Sequence, residues 1–171
     1  MSKNNFDVAL QHTLKDEGGF SDHPKDPGGA TMKGVTLDTY RTYRKNQHLT
    51  AEDLKKITND ELHDIYKRRY WDAVKGDDLP SGVDYCVFDC AVNSGPGRAI
   101  KILQEVAGAK PDGVIGPVTL AAVKALDPVE LIHKYTEKRI QFWQGLSTFE
   151  TFGKGWVARG ERVQKAALEM V

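Results

Sequence analysis

The sequence predicts a mainly α-helical fold with a small β or loop subdomain near residues 18–35. Three observations carry this. Apolar residues recur three and four positions apart through most of the chain, the period of a helix with one buried face. Helix-start patterns follow closely on one another, with Thr50 and Asp53 in "TAED" and Thr58 and Glu61 in "TNDE" placed as capping boxes. Between residues 18 and 35, Pro24, Pro27, Gly28, Gly29 and Gly34 break any helix and favour turns or a small hairpin.

Taken in order, residues 5–17 give the first helix, with Phe6, Ala9, Leu10, Thr13 and Leu14 on one side. Gly18-Gly19 stop it, because glycine accepts the left-handed conformation past a helix end. Thr36 caps a helix through "LDTYRTYRKNQ". The two capping boxes start two more, the second carrying "ELHDIYKRRYW". After "GDDLPSG", residues 83–93 read as an apolar helix; "NSGPG" interrupts it and "RAIKILQEVAG" continues as another. "KPDGVIGPVTLAAVKALDP" holds a Gly-rich turn and a helix with Pro117 at its first position. Asp127-Pro128 with Glu130 opens a long helix to about Leu146, and a final helix runs from about Lys154 to Met170. With no repeat and no long linker, 1–171 is expected to be a single domain, built from halves 1–92 and 93–171.

The chain of 171 residues is the size of one domain. Lys+Arg and Asp+Glu both number 24, so a zero net charge argues against nucleic acid as a partner. No apolar run approaches the ~20 residues of a membrane helix. "MSKNNFDVALQHTL" lacks the continuous apolar core of a signal peptide, so synthesis in the cytoplasm is expected, with any action outside it needing a separate export route. Cys86 and Cys90, four apart, share a helix face and read as buried thiols. The five histidines are scattered, with no metal-ligand spacing, so neither metal nor cofactor is expected. A monomer is expected.

Helix phase singles out one acid. At 100° per residue, Glu17 lies roughly 20° from Phe6 around the first helix, inside the apolar arc, while Lys15 and Asp16 fall outside it. A carboxylate so placed is partly desolvated, and the helix C-terminus adds partial negative charge beside it. Both effects raise its pKa, as a general acid requires. The alternative is a core-edge glutamate paired with an arginine or capping backbone groups. Glycosidic cleavage usually takes a second carboxyl. Asp26 in "PKDPGG" is a candidate, with Pro27 stiffening the turn and the glycines allowing close approach of substrate. It reads equally as an Asx-turn residue. Thr31, with a hydroxyl able to position a water, reads also as a strand or turn hydroxyl.

The stretch "EGGFSDHPKDPGGATMKGVT" resembles the signature of the glycoside hydrolase family 108 N-acetylmuramidases, the EGG-motif peptidoglycan hydrolases, whose fold is lysozyme-like. Glu17-Gly18-Gly19-Phe20, Asp26-Pro27-Gly28-Gly29-Ala30-Thr31 and Gly34-Val35-Thr36 carry it. "IYKRRYWDAVKGDDLPSGVDYCVFDCAVNSGPGRAIKILQ" is similar to the segment that follows in that family, and "PDGVIGPVT" to the turn-helix motif of its C-terminal peptidoglycan-binding half. The resemblance implies that Glu17 is the catalytic acid. It also implies that Asp26 and Thr31 form the second carboxylate and its water-positioning partner, although the Asp-to-Thr gap is one residue shorter than in phage-type lysozymes. Tyr70 and Trp71 resemble the family's Tyr-Trp pair, a candidate glycan contact; for Trp71 core packing competes with that role. Asn93 and Ser94, in the "NSGPG" break, are candidates both for lining a glycan groove and for helix capping. Trp143 and Trp156 read as core.

The expected activity is hydrolysis of the β-1,4 bond between N-acetylmuramic acid and N-acetylglucosamine, with peptidoglycan glycan strands as partner and no cofactor. Residues 1–92 would hold the catalytic half and 93–171 a peptidoglycan-binding-like half. A phage or prophage endolysin, released by a holin and acting in the periplasm, fits these expectations. The alternatives are a non-catalytic peptidoglycan-binding or secretion-associated protein on the same fold, a helical interaction module, or an enzyme with chitinase-like or peptide-cleaving activity.

Overall fold

Apolar residues on one side of the first helix, and glycine after it, have the expected effect. α1 spans Asn5–Glu17, with Phe6, Ala9, Leu10 and Thr13 buried, and Gly18 leaves it at φ +66°. The structure, a computed structural model, describes residues 5–22 and 29–171. Past α1 lies a small antiparallel sheet: β1 (Phe20–Ser21), β2 (Thr31–Met32) and β3 (Val35–Thr36), in the order β1-β2-β3. Thr36 then caps α2 (Leu37–Arg44) by accepting from the Thr39 amide. Both capping boxes form, at the starts of α3 (Ala51–Lys55) and α4 (Asn59–Tyr66).

A π-helical turn, Lys67–Trp71, and a 3-10 turn, Gly76–Asp78, lead to α5 (Val83–Ser94) and α6 (Pro96–Ala107). These are followed by α7 (Pro117–Lys124), α8 (Pro128–Gln144) and α9 (Phe149–Met170). Among the described residues the protein is thus mainly α, with nine α-helices and one small sheet. No helix among them is long and apolar enough to cross a membrane.

Packing groups the chain into two compact units, Leu10–Lys67 and Met1–Ala9 with Arg68–Val171. In the smaller unit, Val35, Tyr40, Leu54, Leu62, Ile65 and Tyr66 are buried. Tyr40 Oη and the Arg44 guanidinium converge on the Glu61 carboxylate from α2, at 3.1 Å each.

In the larger unit, α5 runs through the centre, with every residue from Val83 to Ala91 buried. Phe6, Trp71 and Phe88 meet edge to face, with ring centroids 5.4–5.7 Å apart. Cys86 and Cys90 are free buried thiols, and burial pushes the Cys86 thiol well above its usual range. One buried charge cluster ties three helices together. Asp89 on α5, with no exposure, accepts from Arg139 of α8 at 2.8 Å and from Arg159 of α9 at 3.0 Å. Burial alone would raise the Asp89 pKa. The two guanidinium groups outweigh it and hold the carboxyl below its ordinary value. Arg139 also lies over the Trp143 ring at 4.5 Å, while its Nε has no hydrogen-bond partner among the described residues.

The sequence places the start of the last helix near Lys154, but α9 begins at Phe149. Gly153 lies inside the helix because the Phe149 ring covers the position its side chain would take, with ring carbons within 2.6 Å of a built Cβ. A glycine that suggests a break is here the residue that admits an aromatic ring.

Candidate active site

Glu17 is the last residue of α1 and is half-buried. The adjoining Asp16 is half-buried as well, and Lys15 is exposed. Exposure therefore separates Lys15 from the acids but does not set Asp16 apart from Glu17. What distinguishes Glu17 is its neighbour.

β2 and β3 pair Met32 with Val35, so Lys33-Gly34 is a two-residue hairpin turn. Both residues have positive φ, 49° and 84°, the conformation of a type I′ turn that matches strand twist. Lys33 is held there at both ends of its backbone. Its amide donates to the Gly19 carbonyl at 3.3 Å, and its carbonyl accepts from Tyr66 Oη at 2.6 Å. Tyr66 itself is buried. Gly34 has no room for a side chain. A Cβ there would collide with Tyr66 Oη and stand 3.1 Å from both Cγ and Oε2 of Glu17. The glycine of "GVT" thus lets the turn backbone close onto the Glu17 carboxyl and the Tyr66 hydroxyl together. The Tyr66 hydroxyl donates to the Lys33 carbonyl and so fixes the turn that meets Glu17.

Asp26 lies outside the described residues. Thr31 is in β2, opposite Ser21 on one side and Thr36 on the other, and its side chain is half-buried. Its hydroxyl makes no hydrogen bond among the described residues, which leaves it able to hold a water. Tyr70 is half-buried in the π-helical turn.

Trp71 corrects the expectation of a glycan contact. It is 1% exposed, packed against Phe6 and Phe88, and its indole N–H is donated to Asp77 at 2.9 Å. A glycan has no face of this ring to stack on. Asn93 and Ser94 end α5 and are brought together: Asn93 Oδ1 accepts from Ser94 Oγ at 3.1 Å and from Trp143 Nε1 at 3.2 Å. Asn93 Nδ2 makes no hydrogen bond among the described residues and is available to an outside acceptor. Gly95, at φ 91° and ψ 149°, makes the break between α5 and α6 that only glycine readily adopts. Trp143 is core, as its spacing suggests; Trp156 is only partly buried and stacks on it.

Sequence reasoning missed Tyr66, whose signal was its place in "IYKRRYW" just after a capped helix. It also missed Gln104, which organises "PDGVIGPVT". This buried side chain donates to Asp112 Oδ1 at 2.9 Å, Val114 O at 2.9 Å and Thr119 Oγ1 at 3.1 Å, and accepts from Gly113 N at 2.9 Å. Three acceptors share two amide hydrogens, so the turn is fixed from inside the protein. Among the described residues no group of three or more His, Cys, Asp or Glu is placed to hold a metal ion.

Glu17 thus ends its helix half-buried, with a glycine hairpin closed onto its carboxyl. The chain belongs to the glycosyl hydrolase 108 family, whose model matches residues 10–95. A second model, described as a predicted peptidoglycan domain, matches residues 98–161, which makes the protein a glycoside hydrolase of peptidoglycan. It is similar to the solved structure of Brucella abortus SagA. The two share 46% identity and a TM-score of 0.90, over 99% of this chain and 97% of that one. That similarity carries the mainly α, lysozyme-like fold over the full chain. No curated protein matches the sequence.

Proposed function

We propose that this chain is an N-acetylmuramidase that cuts the β-1,4 bond between N-acetylmuramic acid and N-acetylglucosamine, with Glu17 as general acid. The observation that carries this is the contact of Gly34 with the Glu17 carboxyl and the Tyr66 hydroxyl, in a chain of a glycoside hydrolase family. A carboxyl must carry a proton to serve as the acid. In the reaction Glu17 gives this proton to the glycosidic oxygen as its bond to the sugar C1 breaks. Positive charge builds on that sugar in an oxocarbenium-like transition state. Water adds at C1 and loses a proton to the second carboxylate, for which Asp26 is the candidate, with the Thr31 hydroxyl positioning the water.

Residues 1–92 form the catalytic half in this reading and 93–171 the half that holds the wall. The uncommitted Asn93 Nδ2 suits a glycan carbonyl or hydroxyl. The enzyme acts as a monomer, made in the host cytoplasm and released to the periplasm by a holin, as an endolysin does. The test of Glu17 is Glu17→Gln, which keeps the shape and removes the acid. Lysis of outer-membrane-permeabilised Gram-negative cells should fall by at least about 10²-fold, with the melting temperature and wall binding kept. A variant with substantial residual activity would remove Glu17 from this role. Wild-type chain that binds wall and releases no reducing sugar would instead favour a binding protein on the same fold.

A further inference from the structure

We propose that the groove between α8 and α9 is a carbohydrate site of its own, taking an uncharged aminosugar strand; this rests on the reading of the chain as a peptidoglycan hydrolase. The groove encloses about 480 Å³ and shares no residue with the site around Glu17. α8 contributes His133, Thr136, Glu137, Ile140, Gln141 and Gln144, at the spacing that puts them on one helix face, and α9 contributes Glu161 and Gln164. Among the described residues that line it, only Ile140 is apolar. All eight but Gln164 fall within the stretch matched by the peptidoglycan domain.

Glu137, Gln141, Gln144 and Glu161 are exposed, so their polar ends are open to a ligand as well as to water. The three carboxamides and two carboxylates make no hydrogen bond or ion pair among the described residues. Elsewhere on α8 charges are paired: Lys134 is held by Glu130 at 2.8 Å and Lys138 by Glu105 at 3.1 Å. No lysine or arginine lines the groove, so an anion, such as the carboxylate-rich stem peptide of the wall, meets two acids, Glu137 and Glu161, with His133 as the single basic side chain of the lining. A neutral sugar chain meets complementary chemistry. Carboxamides donate to and accept from N-acetyl groups and hydroxyls, and carboxylates accept from hydroxyls in charge-assisted bonds. From Glu137 to Gln144 the wall runs about 10 Å along the helix, room for more than one sugar ring.

The walls are also fixed. Gly160 lets α9 close on α8, since a Cβ there would stand 3.2 Å from Trp143 Cζ3 and 3.7 Å from Ile140 Cγ1. Beneath them, Trp143 stacks on Trp156 at 6.1 Å, and Asp89 binds an arginine from each helix. The packed helices fix the backbone spacing of the groove, while each exposed glutamine or glutamate still gives up rotamer freedom on binding.

The test uses the full chain carrying Glu17→Gln, so that sugar is bound and not cut, with an N-acetylglucosamine oligosaccharide as probe. Calorimetric titration should show affinity weakened roughly tenfold or more by Gln141→Ala, Gln144→Ala and Gln164→Ala together, the effect of losing a few neutral hydrogen bonds. Glu161→Lys, a single exposed change that puts a cation in the groove, should weaken binding similarly should the triple variant fail to fold. Lys165→Ala on the same helix should leave affinity unchanged, and amide shifts on titration should cluster at Ile140 and Gly160. Unchanged affinity in variants that melt like the parent would overturn the proposal. So would a groove whose signals answer only to an isolated stem peptide. The Glu17 reading is judged separately, by hydrolysis with the groove intact, so either idea can fail alone.

Discussion

At the scale of single residues, the proposed role of Glu17 as acid depends on the turn that closes onto it, and Tyr66 holds that turn by donating to the Lys33 carbonyl at 2.6 Å. Tyr66→Phe removes the hydroxyl that holds the Lys33-Gly34 turn against Glu17. With Glu17 as the proposed acid, the pH profile of kcat/KM should then move. The same change leaves the Lys33 carbonyl without its partner and should cost about 1–3 kcal/mol of stability. Stability loss alone, with an unmoved pH profile, would assign Tyr66 a purely structural role. The place of Glu17 at the end of the first helix was legible because helix phase and the glycine stop depend on local sequence. Its difference from Asp16 was not. Both are half-buried, and only a hairpin folded back from residues 33–34 tells them apart. For Trp71 the sequence left glycan contact and core packing both open: "YW" looks alike in a cleft and in a core, and Phe6 and Phe88, distant in sequence, decide for the core.

At the scale of elements, α5, α8 and α9 depend on a carboxylate that no periodicity reveals. Asp89 lies in an otherwise apolar run, and its partners are 50 and 70 residues further on. Asp89→Asn leaves two buried guanidinium groups without their counter-charge and should destabilise the protein by about 3–5 kcal/mol in urea unfolding at neutral pH. The acid dependence follows from the lowered pKa. A depressed carboxyl contributes its stability fully above the unfolded-state value, about 3.9, and loses it as pH falls through the lower folded value. Wild-type stability should therefore drop below about pH 4 by an amount that is missing from the Asp89→Asn profile. Equal acid slopes in the two proteins would contradict this. Helix starts marked by Thr50, Thr58, Pro117 and Asp127 were readable because a cap acts within one turn. The start of α9 was not, because Gly153 serves the Phe149 ring and does not end the helix.

At the scale of the whole molecule, two matched stretches, 10–95 and 98–161, set a glycoside hydrolase sequence before a peptidoglycan domain. The sites inferred from the two stretches are of different kinds. Around Glu17 a carboxyl is closed in by backbone and a buried phenol, as suits proton transfer; along α8 and α9 many exposed polar groups wait on a concave face, as suits retention of a polymer. An enzyme that holds its polymer while cutting it gains residence on an insoluble substrate. Which bond is cut is the centre of the account, and it leaves a signature in the product. Mass spectrometry of muropeptides released from sacculi should find fragments that end in reducing N-acetylmuramic acid. Fragments ending in reducing N-acetylglucosamine, or glycan strands left whole with their peptides cut, would contradict it.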